Sequence, residues 1–289
     1  MNLFLPLVTV LMPCKNSKAS FFREALNSIF SQISPRWNLI VIIDDYNSSS
    51  ESTETSEILR ELINSKDNRI SVLKNESNLI TGALNTGMRN VKTPYACSLL
   101  CDDLIDTKTI EVLNTYINEY PQIDFFHSSR IIIDESGSAI STIYKARESF
   151  SLSDFKNTGP VKHLLCWKVD SALAMGGMDE SLGLHGADDY DFTWCMAEAG
   201  YSFKAIPECL YYYRDHRDHY RLTTHVPLDT QINQLKKIWK KHGLTENEID
   251  EQIRWRTSGY LKQALYLDEE DKNRKENYDN RKVWRQTYL

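Results

Sequence analysis

The chain has 289 residues, of which 41% are hydrophobic and 26% charged, the balance of a soluble globular protein with a sizeable core. Its net charge of −6 implies no broad basic surface, so nucleic acid is not expected as a partner. Six scattered cysteines form no Cys-x-x-Cys pair, which reads as a reducing compartment and no zinc site.

Residues 1–12 are apolar but lack the charged start and cleavage site of a signal peptide. They are also shorter than the roughly 20 residues that cross a bilayer. Within them residues 8–12 read as a strand ended by Pro13. Phe21, Phe22, Ala25, Leu26, Ile29 and Phe30 then recur at helical spacing. The continuous apolar run 39–43 stops at Asp44-Asp45 and suits a strand buried on both faces. A polar loop leads to a helix carrying Ile58, Leu59, Leu62 and Ile63. Residues 70–73 form a third strand, 79–91 a helix and 95–100 a fourth strand ahead of Asp102-Asp103. This β-α-β-α-β order predicts a mostly parallel sheet with right-handed crossovers.

Beyond Asp106 the pattern changes. Ile110, Leu113 and Ile117 mark a helix. Residues 124–133 and 139–144 flank Asp134-Glu135-Ser136-Gly137, a hairpin turn. A glycine-rich turn, Gly176-Gly177-Met178-Asp179-Glu180, precedes Asp188-Asp189-Tyr190-Asp191, and residues 190–199 read as a helix ended by Gly200. Residues 203–206 and 210–213 are short strands. From Leu228 the chain reads as helical, with Ile232, Leu235, Ile238 and Trp239 on one face and Gly243 at the end. Thr245 with Glu248 makes a capping box for a following helix. Residues 268–285 are highly charged.

Carboxylates at the C-terminal edge of parallel strands lie where open α/β sheets bind ligands. Asp44-Asp45 and Asp102-Asp103 both meet that condition. Each pair alone also reads as a polar loop; two pairs at one edge favour a site. One carboxylate can accept from a base or a ribose hydroxyl, and another can hold Mg²⁺ or Mn²⁺. Asp188 and Asp189 have two readings as well, as residues favoured at a helix N-terminus or as a general base kept ionised by the helix dipole. Trp167 reads either as core or as a platform for a sugar ring. The absence of a Gly-x-Gly-x-x-Gly step and of a Walker lysine loop excludes a dinucleotide oxidoreductase and a P-loop ATPase.

These motifs, taken in order, resemble those of family 2 glycosyltransferases of the GT-A fold. The resemblance runs from Leu7 to His216 and is carried by eight segments. They are Val8-Thr9-Val10-Leu11-Met12-Pro13-Cys14-Lys15-Asn16, Ser28-Ile29-Phe30-Ser31-Gln32, Asp44-Asp45, Asn85-Thr86-Gly87, Asp102-Asp103, Gly176-Gly177-Met178-Asp179-Glu180, Asp188-Asp189-Tyr190-Asp191 and Tyr213-Arg214-Asp215-His216. It implies a Rossmann-like sheet flanked by helices, with a catalytic domain over residues 1–227 and a helical C-terminal extension over 228–289.

The resemblance also implies an inverting, metal-dependent transfer of sugar from a nucleotide-diphospho-sugar, UDP-linked by preference, to a glycan or lipid-linked hydroxyl in surface polysaccharide synthesis. Asp189 matches the catalytic base. Pro13, Cys14, Asn16, Asp45, Asp102 and Asp188 match nucleotide-sugar contacts, with Asp45 at the base and Asp102 at the ribose. Asp103 and His216 match ligands of Mg²⁺ or Mn²⁺, and Arg214 offers an alternative contact to the diphosphate. The chain departs from the family pattern at Leu100, where an acid is usual, and at Thr81-Gly82, where a cation is usual.

Three expectations complete the reading. The enzyme is cytoplasmic, with peripheral contact at the inner face of the membrane as a variant of that placement. The C-terminal helices pack on the catalytic domain or on a second copy in a homo-oligomer. The alternative function is a non-catalytic sugar-nucleotide or glycan-binding module, which would have no need of a base such as Asp189.

Overall fold

Strands buried on both faces must be apolar along their whole length, and the computed structural model puts the three most apolar runs of the first half side by side. It describes residues 5–15, 17–44, 53–157, 159–161, 163–182, 186–216 and 228–258. Strands β1 (Val8–Cys14), β2 (Trp37–Ile43), β3 (Ile70–Lys74) and β4 (Tyr95–Ser98) pair in parallel in the order β3-β2-β1-β4. Helices α1 (Ala19–Phe30), α2 (Thr53–Ile63) and α3 (Leu79–Asn90) connect them. The expected β-α-β-α-β unit is present. On α1 the predicted stripe of Phe21, Phe22, Ala25, Leu26 and Ile29 is buried, while Phe30 at the end stays about half exposed.

The second half is mixed. The remaining elements are β5 (Leu104–Ile105), α4 (Thr109–Glu119), β6 (Phe125–Ile133), α5 (Leu152–Asn157), β7 (Leu165–Lys168), α6 (Val169–Ala174), α7 (Asp188–Glu198), β8 (Phe203–Arg214), α8 (Leu228–Lys241) and α9 (Glu246–Ser258). The sheet continues as β4-β7-β6-β8-β5. Strands β4 and β6 both pair antiparallel with β7, β6 pairs parallel with β8, and β5 pairs antiparallel with β8.

Strand β7 was not expected, and Trp167 within it is fully buried, packed against Phe125 and Phe192. The core reading of that residue therefore holds. The two short strands expected at 203–206 and 210–213 are one strand with a register shift opposite Ser128–Arg130. Pro207 stands in the shifted stretch, where it has no N–H to give the ladder, and Ser129 Oγ donates to its carbonyl. The hairpin around Asp134–Gly137 is reduced to isolated bridges, Arg130 to Tyr144 and Ile133 to Ala139.

Two apolar clusters fill the faces of the sheet. A third cluster joins α7 to the C-terminal helices through Phe155, Leu182, Trp194, Ile238, Trp239 and Ile249. Gly243, at φ +76°, ends α8. The capping box of α9 forms as expected, with Thr245 N–H on Glu248 Oε2 (2.8 Å) and Glu248 N–H on Thr245 Oγ1 (3.3 Å). The charged tail at 268–285 lies outside the described residues. Among the described residues, no helix is long and apolar enough to cross a membrane.

Helix α3 lies so close to the sheet that a β-carbon on Gly87 would stand 2.9 Å from Leu11 Cδ2 and 3.1 Å from Ile42 Cδ1. Gly87→Ala is expected to overpack this contact and lower stability by about 1–3 kcal/mol. A thermal melt should show a drop of several degrees; an unchanged Tm would contradict the close packing.

Candidate active site

The C-terminal ends of β1 and β2 lie side by side at the sheet edge where open α/β folds take ligands. Pro13 and Cys14 close β1 and are buried, with Cys14 in the core between the sheet and α1. Their side chains face the interior, which leaves the backbone at this point as what a ligand would meet. The Lys15 ammonium pairs with Asp44 Oδ2 (2.6 Å), and Asn75 Nδ2 donates to Asp44 Oδ1 (2.7 Å). Asn16 and Asp45, expected at the nucleotide, lie outside the described residues.

The turn after β4 separates its two acids. Asp103 is buried, its Oδ2 accepting from the Tyr211 hydroxyl (2.6 Å) and its Oδ1 from the Arg214 N–H (2.6 Å). Burial and this carboxylate together hold the Tyr211 phenol well above its ordinary pKa. Asp102, expected at a ribose, has its Oδ2 3.5 Å from His216 Nε2. The His216 ring meets the edge of Phe21 at 4.7 Å. The geometry thus brings together Asp102 and His216, whereas the sequence reading had joined Asp103 with His216.

Arg214 is fully buried and committed. Its Nε donates to the Asp102 carbonyl (2.7 Å) and its Nη1 to the carbonyls of Asp134 and Glu135 (3.3 and 3.0 Å). Its Nη2 pairs with Glu24 (2.5 Å), and the guanidinium sits over the Phe21 ring. The alternative of a diphosphate contact from Arg214 is corrected by these bonds, because the guanidinium is spent inside the fold.

Two motifs far apart in sequence meet beside the acid helix. Asn85 Oδ1 accepts the Met178 N–H (2.8 Å), while its Nδ2 donates to Met178 O and Glu180 Oε1 (both 2.9 Å). Ser77 Oγ also bonds Glu180. Gly177, at φ +82°, lies so close that a β-carbon there would be 2.4 Å from Asn85 Oδ1, so both conformation and space demand glycine. The segment then enters α7 through Ala187, whose φ is 62°.

Asp188, Asp189 and Asp191 share the first turn of α7. Burial, then the charges of Asp189 and Asp191, push the Asp188 carboxyl up to about 7. Asp189 is more open, its side chain 44% exposed. Its Oδ1 accepts the Tyr190 N–H (2.9 Å) and its Oδ2 is 4.0 Å from His163 Nε2. The His163 ring packs on Tyr211 at 5.2 Å, and Arg130 Nη1 is 3.3 Å from its Nδ1. His163 therefore stands between the acid helix and the Asp103 carboxylate held by Tyr211. The sequence analysis missed it, because a single histidine in a polar loop carries no spacing signal.

Thr81 is fully buried and a β-carbon on Gly82 would meet Ser77 at 2.9 Å, so the position where a cation is usual packs into the body. Asp191, Cys195 and His242 also gather ligand-type atoms within 4.8 Å of one another, a group the sequence reading did not mark.

Asp103→Asn is expected to lower stability by about 1–3 kcal/mol, because only one of the two buried donors would keep an acceptor of full strength. Asp102→Asn, at a carboxyl that is also buried but meets His216 at the longer distance of 3.5 Å, should lower Tm less than Asp103→Asn. Equal melting behaviour of the two variants would contradict this division of roles.

The comparisons agree with the motifs. A profile of the family described as Glycosyl transferase family 2 matches residues 9–163, more than half of the chain. An uncharacterized glycosyltransferase of Methanocaldococcus jannaschii is 30% identical over 223 residues, which is 74% of this chain and 73% of that protein. The O-antigen biosynthesis protein RfbC of Myxococcus xanthus is 25% identical over 211 residues, 73% of this chain but only 16% of that longer protein. Among solved structures, S. aureus TarS 1–349 in complex with UDP-GlcNAc is similar in fold, with a TM-score of 0.63 at 16% identity over 97% of this chain and 91% of that one. The expected GT-A architecture is the one observed, and the chain belongs to glycosyl transferase family 2.

Proposed function

We propose that this glycosyltransferase moves a sugar, with inversion, from a nucleotide-diphospho-sugar to a hydroxyl of a glycan or lipid-linked acceptor in the assembly of a surface polysaccharide. One observation carries the reading: contacts run from the Asp189 carboxylate through His163 and Tyr211 to Asp103, next to the Asp102 that meets His216, in the turn after β4 where α/β sheets take ligands. A UDP-sugar is the favoured donor, supported by the UDP-GlcNAc held in the TarS structure. The polysaccharide assignment is supported by the O-antigen role named for the Myxococcus xanthus relative. The six free thiols support a cytoplasmic placement.

In this reading Asp189 accepts the proton of the acceptor hydroxyl as that oxygen attacks the anomeric carbon. Asp188, raised toward neutrality, stays protonated over part of the working range and can donate to an oxygen of the donor sugar. His163 lies beside the base, its Nε2 4.0 Å from Asp189 Oδ2. Asp102 and His216 offer one carboxylate oxygen and one imidazole nitrogen, a donor set that suits Mn²⁺ better than Mg²⁺. The ion, when bound, would neutralise charge on the leaving diphosphate. Asp103 supports this turn from beneath in place of the ligand role first expected of it. The catalytic unit extends over residues 1–227 and the extension over 228–289, of which helices α8 and α9 pack against α5 and α7.

Calorimetric titration with UDP and with GDP, each with and without Mn²⁺, tests the donor site. Metal-dependent binding of UDP is expected, weakened tenfold or more in Asp102→Asn; metal-independent binding, or binding indifferent to that change, would refute the ligand set. Asp189→Asn should bind UDP normally yet lose about 10²–10⁴ of turnover. Wild-type turnover in that variant would remove Asp189 as the base.

A further inference from the structure

Three carboxylates share the first turn of α7, and the Asp189 side chain is 44% exposed. Asp191, on the same turn, is buried with its side chain 2% exposed. A buried anion needs partners, and its partners come from the end of α8 and the residue after it. Lys241 Nζ lies 2.7 Å from Asp191 Oδ2, and His242 Nε2 lies 3.1 Å from Oδ1. Lys241 also reaches Asp179 (3.0 Å) in the glycine-rich turn. The other nitrogen of His242 meets Glu198 (2.8 Å), and its ring lies flat on Trp194, 4.0 Å between centroids at 2°.

The rest of α8 grips the same segment. Gln234 Nε2 donates to the carbonyls of Leu182 (2.9 Å) and Gly186 (3.4 Å), on either side of residues 183–185. Trp239 Nε1 donates to the Tyr190 hydroxyl (3.3 Å), which in turn bonds the Phe155 carbonyl. Along its length α8 thus holds the approach to α7, its first turn and its middle.

A metal on Asp191, Cys195 and His242 is the competing explanation for the cluster. Charge decides against it. The Lys241 ammonium already occupies Asp191. Burial alone would lower the His242 pKa, but its bonds to Asp191, Cys195 and Glu198 raise it to about 9, so the imidazole carries a proton at neutral pH. An ion would have to expel that proton and crowd the ammonium, whereas the group as it stands already has its counter-charges.

We infer that Lys241 and His242 are positioning residues for the transfer reaction: by pairing with the buried Asp191 they set the direction of α7 and so the place of the Asp189 carboxylate on the same turn. The inference rests on Asp189 as the base. Lys241, His242 and Cys195 meet the Asp191 carboxylate, Asp188 repels it from the same turn, Asp179 pairs with Lys241 and Glu198 with His242, while His163 lies 4.0 Å from Asp189. Removing one cation leaves the carboxylates of Asp179, Asp188, Asp189 and Asp191 less compensated. The turn that carries Asp189 then shifts, and the base no longer meets the acceptor hydroxyl in productive geometry.

The test compares wild type, Lys241→Met, Lys241→Arg, His242→Gln and Asp189→Asn. UDP release from UDP-GlcNAc with Mn²⁺ is followed across pH, UDP affinity by calorimetry, and thermal stability across pH without substrate. Lys241→Met and His242→Gln should bind UDP as wild type does. They should lose about 10- to 100-fold in kcat, with Lys241→Arg recovering most of the loss.

Wild-type kcat in both cation variants, beside an inactive Asp189→Asn, would overturn the inference and leave the base intact. Wild-type turnover in Asp189→Asn would instead remove the base itself. The substrate-free arm reads the ion pair directly. Because His242 is raised in the fold, its stabilisation is present below about 6.5, its unfolded value, and lost as pH rises through about 9. A melting profile without that loss, or with the same loss in His242→Gln, would overturn the network. A Zn²⁺-dependent gain in stability abolished by Cys195→Ser would overturn it in favour of a metal centre.

Discussion

A guanidinium cannot be buried alone, and the arrangement around Arg214 follows from meeting that demand. Its charge is balanced by Glu24 from α1 and its other donors go to carbonyls of Asp102, Asp134 and Glu135. One side chain therefore joins α1, the turn after β4 and the ends of β6 and β8. Its own N–H holds Asp103, which fixes that acid inward and leaves Asp102 toward His216. Arginine suits such a junction because its donors lie in one rigid plane and its charge cannot be titrated away. Removing any one of these partners would leave a buried charge or donor exposed to no solvent, a cost far above that of a surface ion pair.

The opposite side of the cleft is organised by negative charge rather than positive. Burial, together with the neighbouring charges of Asp189 and Asp191, raises the Asp188 carboxyl on the first turn of α7. The dipole of the helix offsets part of this. The cations at the end of α8 face the buried acid, Asp191, while His163 faces the open one. Asn85 holds the glycine-rich turn that leads into this helix, so the position of Asp189 depends on α3 on one side and on the C-terminal helices on the other.

The first half of the fold was legible because its signals are local. A strand buried on both faces shows as an unbroken apolar run, and an amphipathic helix shows as a stripe such as Phe21, Phe22, Ala25, Leu26 and Ile29. The capping box at Thr245 and Glu248 was equally local and formed as read. Strand β7 was not legible: four residues, with Trp167 among them, become a strand only because β4 and β6 lie on either side. The split reading of β8 had a visible cause in Pro207, but no sequence pattern says that a chain resumes the same strand after a bulge.

For the site, motif order marked the acids at the strand ends and at the start of α7, since a ligand edge and a helix N-terminus are both written in short stretches of chain. Which of two adjacent acids turns inward was not written there. Asp102 and Asp103 are chemically alike, and the choice between them is made by Tyr211 and Arg214, more than a hundred residues away. The same holds for His163 beside Asp189 and for Lys241 and His242 beneath Asp191. The sequence by itself determined the layered α/β plan and the kinds of chemical group available, because periodicity and residue type are local properties. Only the tertiary structure decided which groups face the cleft and which carry the load behind it, because burial, pairing and charge compensation depend on neighbours that the chain supplies from a distance.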